Sequence, residues 1–233
     1  MAGAGRFFCV VPVAVIALVW LLVSLPPIKA RTSAKTANVL SLMQQAPVVM
    51  GMLAVSVFFM GQFMLFTYLR PFLESVTQVS VSGLSLVLLA LGLTGLAGTF
   101  LIERFLKHSL YRTLIAIPVL MALIAMALVA FGSSTLLTTL LLGAWGLVAT
   151  AAPVGWWTWL ANTLPEDAEA GGGLMVAIIQ LAIATGATMG GVVFDFSGYQ
   201  ATFELSAALL CVAALLARMA QRASDHAVHC CNA

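Results

Sequence analysis

Residues Ala152–Gly191 read APVGWWTWLANTLPEDAEAGGGLMVAIIQLAIATGATMGG. Two apolar runs, each too long for an ordinary soluble core helix, meet here across a short acidic, glycine-rich connector. The first run, which begins upstream, carries Trp145, Pro153, Gly155, Trp156, Trp157 and Trp159. The second carries Gln180, Thr185, Gly186, Thr188 and Gly190. A helix that only had to cross lipid would need neither a proline, nor clustered indoles, nor a buried amide. The pattern points to a polar, ring-shaped solute passing between such helices.

The rest of the chain fits that setting. Of its 233 residues 62% are hydrophobic and 8% charged, against about 25% charged in soluble domains. So apolar a chain cannot cover its surface in water, and its solvent is lipid. Basic residues are confined to short loops, which argues against nucleic acid as a partner. Seven apolar runs approach the ~20 residues that span a bilayer: Phe7–Leu25, Val48–Phe72, Gly83–Ile102, Leu110–Phe131, Leu136–Leu160, Leu174–Phe194 and Ala201–Ala220. All must be helical, because the hydrocarbon offers the backbone no hydrogen-bond partner. The fold class is therefore an all-α, polytopic membrane protein with seven transmembrane helices. The first run is too long for a signal peptide's apolar core and lacks a small-residue cleavage site after it.

Lys29, Arg31, Lys35, Arg104, Lys107, Arg112, Arg218 and Arg222 fall on one side of the predicted topology, and Arg6 and Arg70 on the other. The positive-inside rule then places the N-terminus outside and the C-terminus in the cytoplasm. The longest connector, Pro26–Pro47, is basic and polar. The expected organisation is one helix (1–25), a cytoplasmic linker (26–47), a six-helix bundle (48–220) and a cytoplasmic tail (221–233). In that tail His226, His229, Cys230 and Cys231 offer metal-ligand chemistry, but a frayed end is expected. Cys231-Asn232 does not supply a prenylation signal.

One helix, a linker and six helices are the parts of a truncated twelve-helix transporter, two six-helix halves with the substrate between them. Four segments make the resemblance specific: GQFMLFTYLRPFLE (Gly61–Glu74), GLSLVLLALGLTGLAGT (Gly83–Thr99), PVGWWTWL (Pro153–Leu160) and AEAGGGLMVAIIQLAIATGATMGG (Ala168–Gly191). They resemble the second half of bacterial drug–proton antiporters of the major facilitator superfamily, and within these the purine ribonucleoside and arabinose efflux pumps. The likeness covers nearly everything after Arg6. The facilitators' basic loop signature, Gly-x-Leu-x-Asp-Arg-x-Gly-Arg, is only faint around Gly98–Lys107. The resemblance implies that the first run is helix six of a parent transporter and that Val48–Ala220 is its second half. It further implies proton-coupled efflux from the bacterial inner membrane by alternating access, completed by a separate N-terminal half.

Candidate substrate-binding residues are Gln62, Tyr68, Trp145, Trp156 and Gln180. Trp145, Ala149, Ala152, Trp156 and Trp159 share one helical face by 3–4 residue spacing, and Pro153 should kink that helix. Two readings stay open for the indoles: stacking on a flat solute, or an interfacial aromatic belt. Gln62 and Gln180 either line a wet path or hydrogen-bond between helices. Gly92, Gly95 and Gly98, and Gly186 with Gly190, mark faces for close helix packing. Arg70, Glu74, Asp195 and Glu204 lie near outer helix ends, as a gate of ion pairs or as a solvated rim. Glu166, Asp167 and Glu169 suit a helix N-terminus.

No ionisable residue lies at the centre of a span, although proton-coupled carriers need one in the pathway; in the family resembled it generally sits in the first half. The expected cargo is a small neutral polar solute, nucleoside-like or sugar-like, or a drug. A truncated or non-transporting membrane subunit and a seven-helix sensor are the alternatives. No lysine follows Lys107, so a retinal Schiff base is excluded. Neither H-E-x-x-H nor G-x-S-x-G occurs, so no intramembrane enzyme, cofactor or metal is expected.

Overall fold

The computed structural model describes residues 12, 15–16, 18–24 and 42–231, with side chains to 225. The chain divides after Thr36 into two units. In the first, the described residues between 12 and 24 are helical. The expected linker lies outside the described residues up to position 41.

The second unit consists of helices α1 (Ala46–Phe66), α2 (Leu69–Ser75), α3 (Val81–His108), α4 (Leu110–Phe131), α5 (Thr135–Thr163) and α6 (Ala168–Cys231). Among the described residues five helical stretches are long and apolar enough to cross a membrane: Ala46–Ser75, Val81–His108, Leu110–Phe131, Thr135–Thr163 and Ala168–Asp225. The last has 58 residues, about 87 Å if straight against a ~30 Å hydrocarbon core. It cannot be one crossing. It breaks at Gly198, whose φ of 79° and ψ of −177° are non-helical and lie in a region open essentially to glycine alone. The arms 168–197 and 199–231 are each long enough for a crossing of their own, and the protein is an all-α, polytopic membrane protein.

Local chemistry sets the other breaks. Pro71 has no N–H to offer the Thr67 carbonyl and its ring would collide with it, so helix α1 stops at Phe66 and α2 starts at Leu69. Ser80 caps α3 by accepting from the Gly83 amide at 3.2 Å. The glycines expected in a connector belong to helix α6 instead. A Cβ on Gly171 would meet Leu164 Cδ1 at 2.8 Å, and one on Gly172 would meet the Trp157 ring at 3.3 Å. Their small size lets α6 start tight against the end of α5. Helix α6 also continues to Cys231, past the boundary expected at Ala220.

Helix α1 is the hub, with about three-fifths of its apolar stretch buried against about a fifth for α3. It lies parallel to the first arm of α6: Met60 meets Gly186, Met64 meets Gly190, and Tyr68 meets Gly191. The second arm closes its other flank, where the buried Ser206 Oγ donates to the Gly61 carbonyl at 2.7 Å. Helix α5 runs antiparallel to α1, with Trp159 over Gly51 and Trp156 6.4 Å from Phe58 between ring centres. Helices α3 and α5 run side by side. A Cβ on Gly98 would strike the Leu147 carbonyl and one on Gly146 the Leu91 carbonyl, while Thr150 Oγ1 donates to the Gly95 carbonyl at 2.7 Å. The close packing expected of Gly95, Gly98, Gly186 and Gly190 is present. Gly92 faces open space.

Candidate functional site

Helices α1 and α5 and the first arm of α6 hold the glutamines and tryptophans singled out above. On α1, Gln62 is 8% exposed and its Oε1 has no hydrogen-bond partner among the described residues. On α5, the fully buried Trp145 and Trp159 each hold an unpartnered indole N–H. The facing pairs Gly51–Trp159 and Phe58–Trp156 fix the antiparallel register. By that register Gln62 and Trp145 differ in depth by about one or two helical turns, roughly 5–10 Å. A buried acceptor and a buried donor thus sit at neighbouring depths in an apolar interior. Leaving such a group unsatisfied costs about 1–3 kcal/mol.

The face of α5 predicted to carry Trp145, Ala149, Ala152, Trp156 and Trp159 is real, and it points into the bundle: all five are buried. Trp156 packs edge-on against Trp159, with ring centres 5.9 Å apart. Trp157 is the indole on this helix that remains exposed, at 43%. Pro153 sits inside α5 without ending it.

Gln180 stands elsewhere. The parallel register of α1 with α6 puts it about 12 Å from Gln62 along the helix axes, toward the basic end of the bundle. It is exposed, on a stripe with Gly173, Ala177, Ala184 and Thr188 at 3–4 residue spacing. Thr185 and Thr188 donate to the carbonyls of Leu181 and Ala184 in their own helix, leaving hydroxyl lone pairs facing outward. The first arm therefore offers a small, hydrogen-bonding strip amid exposed Val176, Leu181, Met189 and Val192.

Tyr68 ties elements together. Its hydroxyl donates to the Ala187 carbonyl at 3.0 Å and its ring stacks on Phe194 at 5.1 Å, so the α1–α2 corner is pinned to the first arm. Arg70 Nε and Glu74 Oε1 lie 2.8 Å apart within α2, four residues apart in sequence. Asp195 and Glu204 are exposed on either side of the Gly198 turn. Among the described residues Arg70–Glu74 is the ion pair formed, and it joins no two helices.

Sequence reasoning passed over Trp159's orphaned N–H, Gly51 beneath it, and the buried hydroxyls of Thr138, Thr202 and Ser206. A glycine opposite a tryptophan is the signal that was there to be used. Among the described residues no group of three or more His, Cys, Asp or Glu is placed to hold a metal. The side chains from His226 onward lie outside the described residues.

The sequence has named relatives. Over 222 residues the chain is 53% identical to the transcription regulatory protein OpdE of Pseudomonas aeruginosa, covering 94% of this chain and 55% of that protein. Over 202 residues it is 37% identical to the purine ribonucleoside efflux pump NepI of Salmonella paratyphi B, covering 87% of this chain and 51% of the pump. NepI of Salmonella typhimurium matches to the same extent. The chain is similar to efflux pumps. It spans about half the length of the curated relatives it matches, and no protein-family model matches it. The expected likeness to purine ribonucleoside efflux pumps is thereby found, and a protein named as a regulator stands beside them.

Proposed function

We propose that the chain is the C-terminal half of a proton-coupled efflux transporter of major facilitator architecture. It exports a small neutral polar solute, nucleoside-like or sugar-like, or a drug, across the bacterial inner membrane, with its N-terminus outside. The observation that carries this reading is 37% identity to nucleoside pumps over 87% of this chain but only 51% of theirs. Residues 1–25 act as the last helix of the first half, 26–47 as the cytoplasmic linker, and 48–220 as the second half. A separate N-terminal half closes over the α6 strip.

Alternating access follows from rocking of this bundle against that partner. Gln62 and Trp145 supply the paired acceptor and donor that a nucleobase or sugar needs, and Gln180 lines the path nearer the cytoplasm. Tyr68 and Trp156 hold the wall in shape. Arg70, Glu74, Asp195 and Glu204 cluster at the outer end, where pairing with charges on the partner gates the mouth. The titratable proton carrier belongs to the partner half.

The test is export of radiolabelled inosine from a strain lacking its own nucleoside exporters. The chain is expressed alone and together with the first half of a nucleoside pump. Export requires both. Export by the chain alone refutes the proposal, and so does an inserted and assembled pair that exports neither inosine nor a labelled pentose nor a labelled drug.

A second reading is a non-transporting membrane regulator, favoured by 53% identity to a protein named as a transcription regulator. Deleting the gene then alters transcription of target genes in cells given no exportable solute. A transport half leaves such transcripts unchanged.

A further inference from the structure

At the end of the bundle where α3 gives way to α4, helices α3, α4 and α5 part to form a cleft of about 460 Å³. Its walls are apolar, lined by Gly98, Phe105, Ile117, Leu120, Leu147 and Ala151. Its mouth is polar, with His108, Ser109, Arg112 and Thr113. From His108 down to Gly98 is ten residues of α3, about 15 Å, which is half of the ~30 Å hydrocarbon core. The cleft has the depth of one leaflet.

The mouth carries positive charge: Arg112, the lining residue with a fixed charge, is exposed and makes no salt bridge among the described residues. Thr113 Oγ1 donates to the Ser109 carbonyl of its own helix at 2.9 Å. The Arg112 guanidinium is therefore the fixed positive charge at the rim, beside the further donors His108 and Ser109. A soluble anion would gain nothing from the greasy walls, and a neutral hydrocarbon nothing from the arginine.

We infer that this cleft binds one anionic phospholipid, its phosphate on Arg112 and one acyl chain between α3, α4 and α5. The acyl chain lies against Leu147 and Gly98, where α3 and α5 touch backbone to backbone, so the lipid wedges the contact on which these helices pack.

Native mass spectrometry of the full chain, released from micelles holding equal phosphatidylglycerol and phosphatidylcholine of one acyl length, tests this. The unaltered chain retains phosphatidylglycerol preferentially. Arg112→Gln lowers that preference about fivefold, the effect of roughly 1 kcal/mol per basic residue near an anionic surface; Arg112→Lys keeps it. Ala116→Phe, at an exposed position on the cleft wall, lowers retention of both lipids. Equal retention by the unaltered chain, which needs no variant to fold, overturns the proposal. So does a preference unchanged in Arg112→Gln. Displacement of the lipid by glycerol phosphate marks a plain anion site, and loss of retention on pairing with an N-terminal half marks a polypeptide contact; either result also refutes it.

Discussion

Alanine scanning along one line of α3 separates helix propensity from helix contact. Gly92, Gly95 and Gly98 lie on the same helix at three-residue spacing but meet different surroundings. A methyl group on Gly92 meets nothing within 4 Å; on Gly95 it meets Thr150 Cγ2 at 2.9 Å; on Gly98 it runs into the Leu147 backbone carbonyl. Each substitution gains the same helix propensity, about 0.8–1 kcal/mol in water. Thr150 can rotate, at the expense of its hydrogen bond to the Gly95 carbonyl. The Leu147 carbonyl cannot, since it belongs to the backbone of α5, so the two helices must separate. Overpacking of this kind costs about 1–3 kcal/mol. Because propensity cancels between variants, Gly98→Ala should be less stable than Gly92→Ala by about that amount, with Gly95→Ala between them. Reversible unfolding in mixed detergent micelles, followed by tryptophan fluorescence, measures the gap. If Gly92→Ala and Gly98→Ala agree within about 0.5 kcal/mol, α3 and α5 do not touch as described.

Gln62→Leu removes an unpartnered buried acceptor, so stability should hold or rise by up to about 1–3 kcal/mol, while inosine export by the paired halves falls; a large loss of stability shows that the amide has a structural partner instead. Ser206→Ala removes the buried bond to the Gly61 carbonyl and should cost about 0.6 kcal/mol, at most about 1.7; a cost above 3 kcal/mol in the same unfolding assay contradicts a simple interhelical bond. Arg70 and Glu74 are 72% and 48% exposed in their side chains, so a double-mutant cycle in the bundle without a partner half should give a coupling of about 0.5 kcal/mol or less. A coupling of several kcal/mol means the pair is enclosed.

The candidate site was legible in residue type and only partly in place. An amide inside an apolar run is conspicuous, so Gln62 and Gln180 stand out together, each as lining a wet path or as an interhelical hydrogen bond. Which way an amide faces depends on helix rotation, and apolar runs encode that poorly here. Helix α1 is apolar nearly all round, so no stripe tells Gln62 that it will be buried and nothing on α6 tells Gln180 that it will be exposed. The indole face of α5 was read correctly from its spacing. Its destination was set by Gly51, a residue on another helix whose missing side chain makes room for the Trp159 ring.

Composition and run length by themselves determined that the chain is built of apolar helices of membrane-spanning length. Lipid forces every crossing segment to satisfy its own backbone, and charged residues are expelled to the ends. The acidic connector before α6 is a local feature, so the break beside it could be read in advance, whereas Pro71 breaks the run expected to be continuous over Val48–Phe72. Pairing was decided only in three dimensions. Helices α1 and α6, and α3 and α5, approach closely where glycines meet a partner's carbonyls. A glycine in the sequence does not say whether it meets a backbone, as Gly98 does, or open space, as Gly92 does. In lipid the hydrophobic effect does not distinguish one greasy face from another, so shape complementarity chooses the neighbours, and shape belongs to two helices at once.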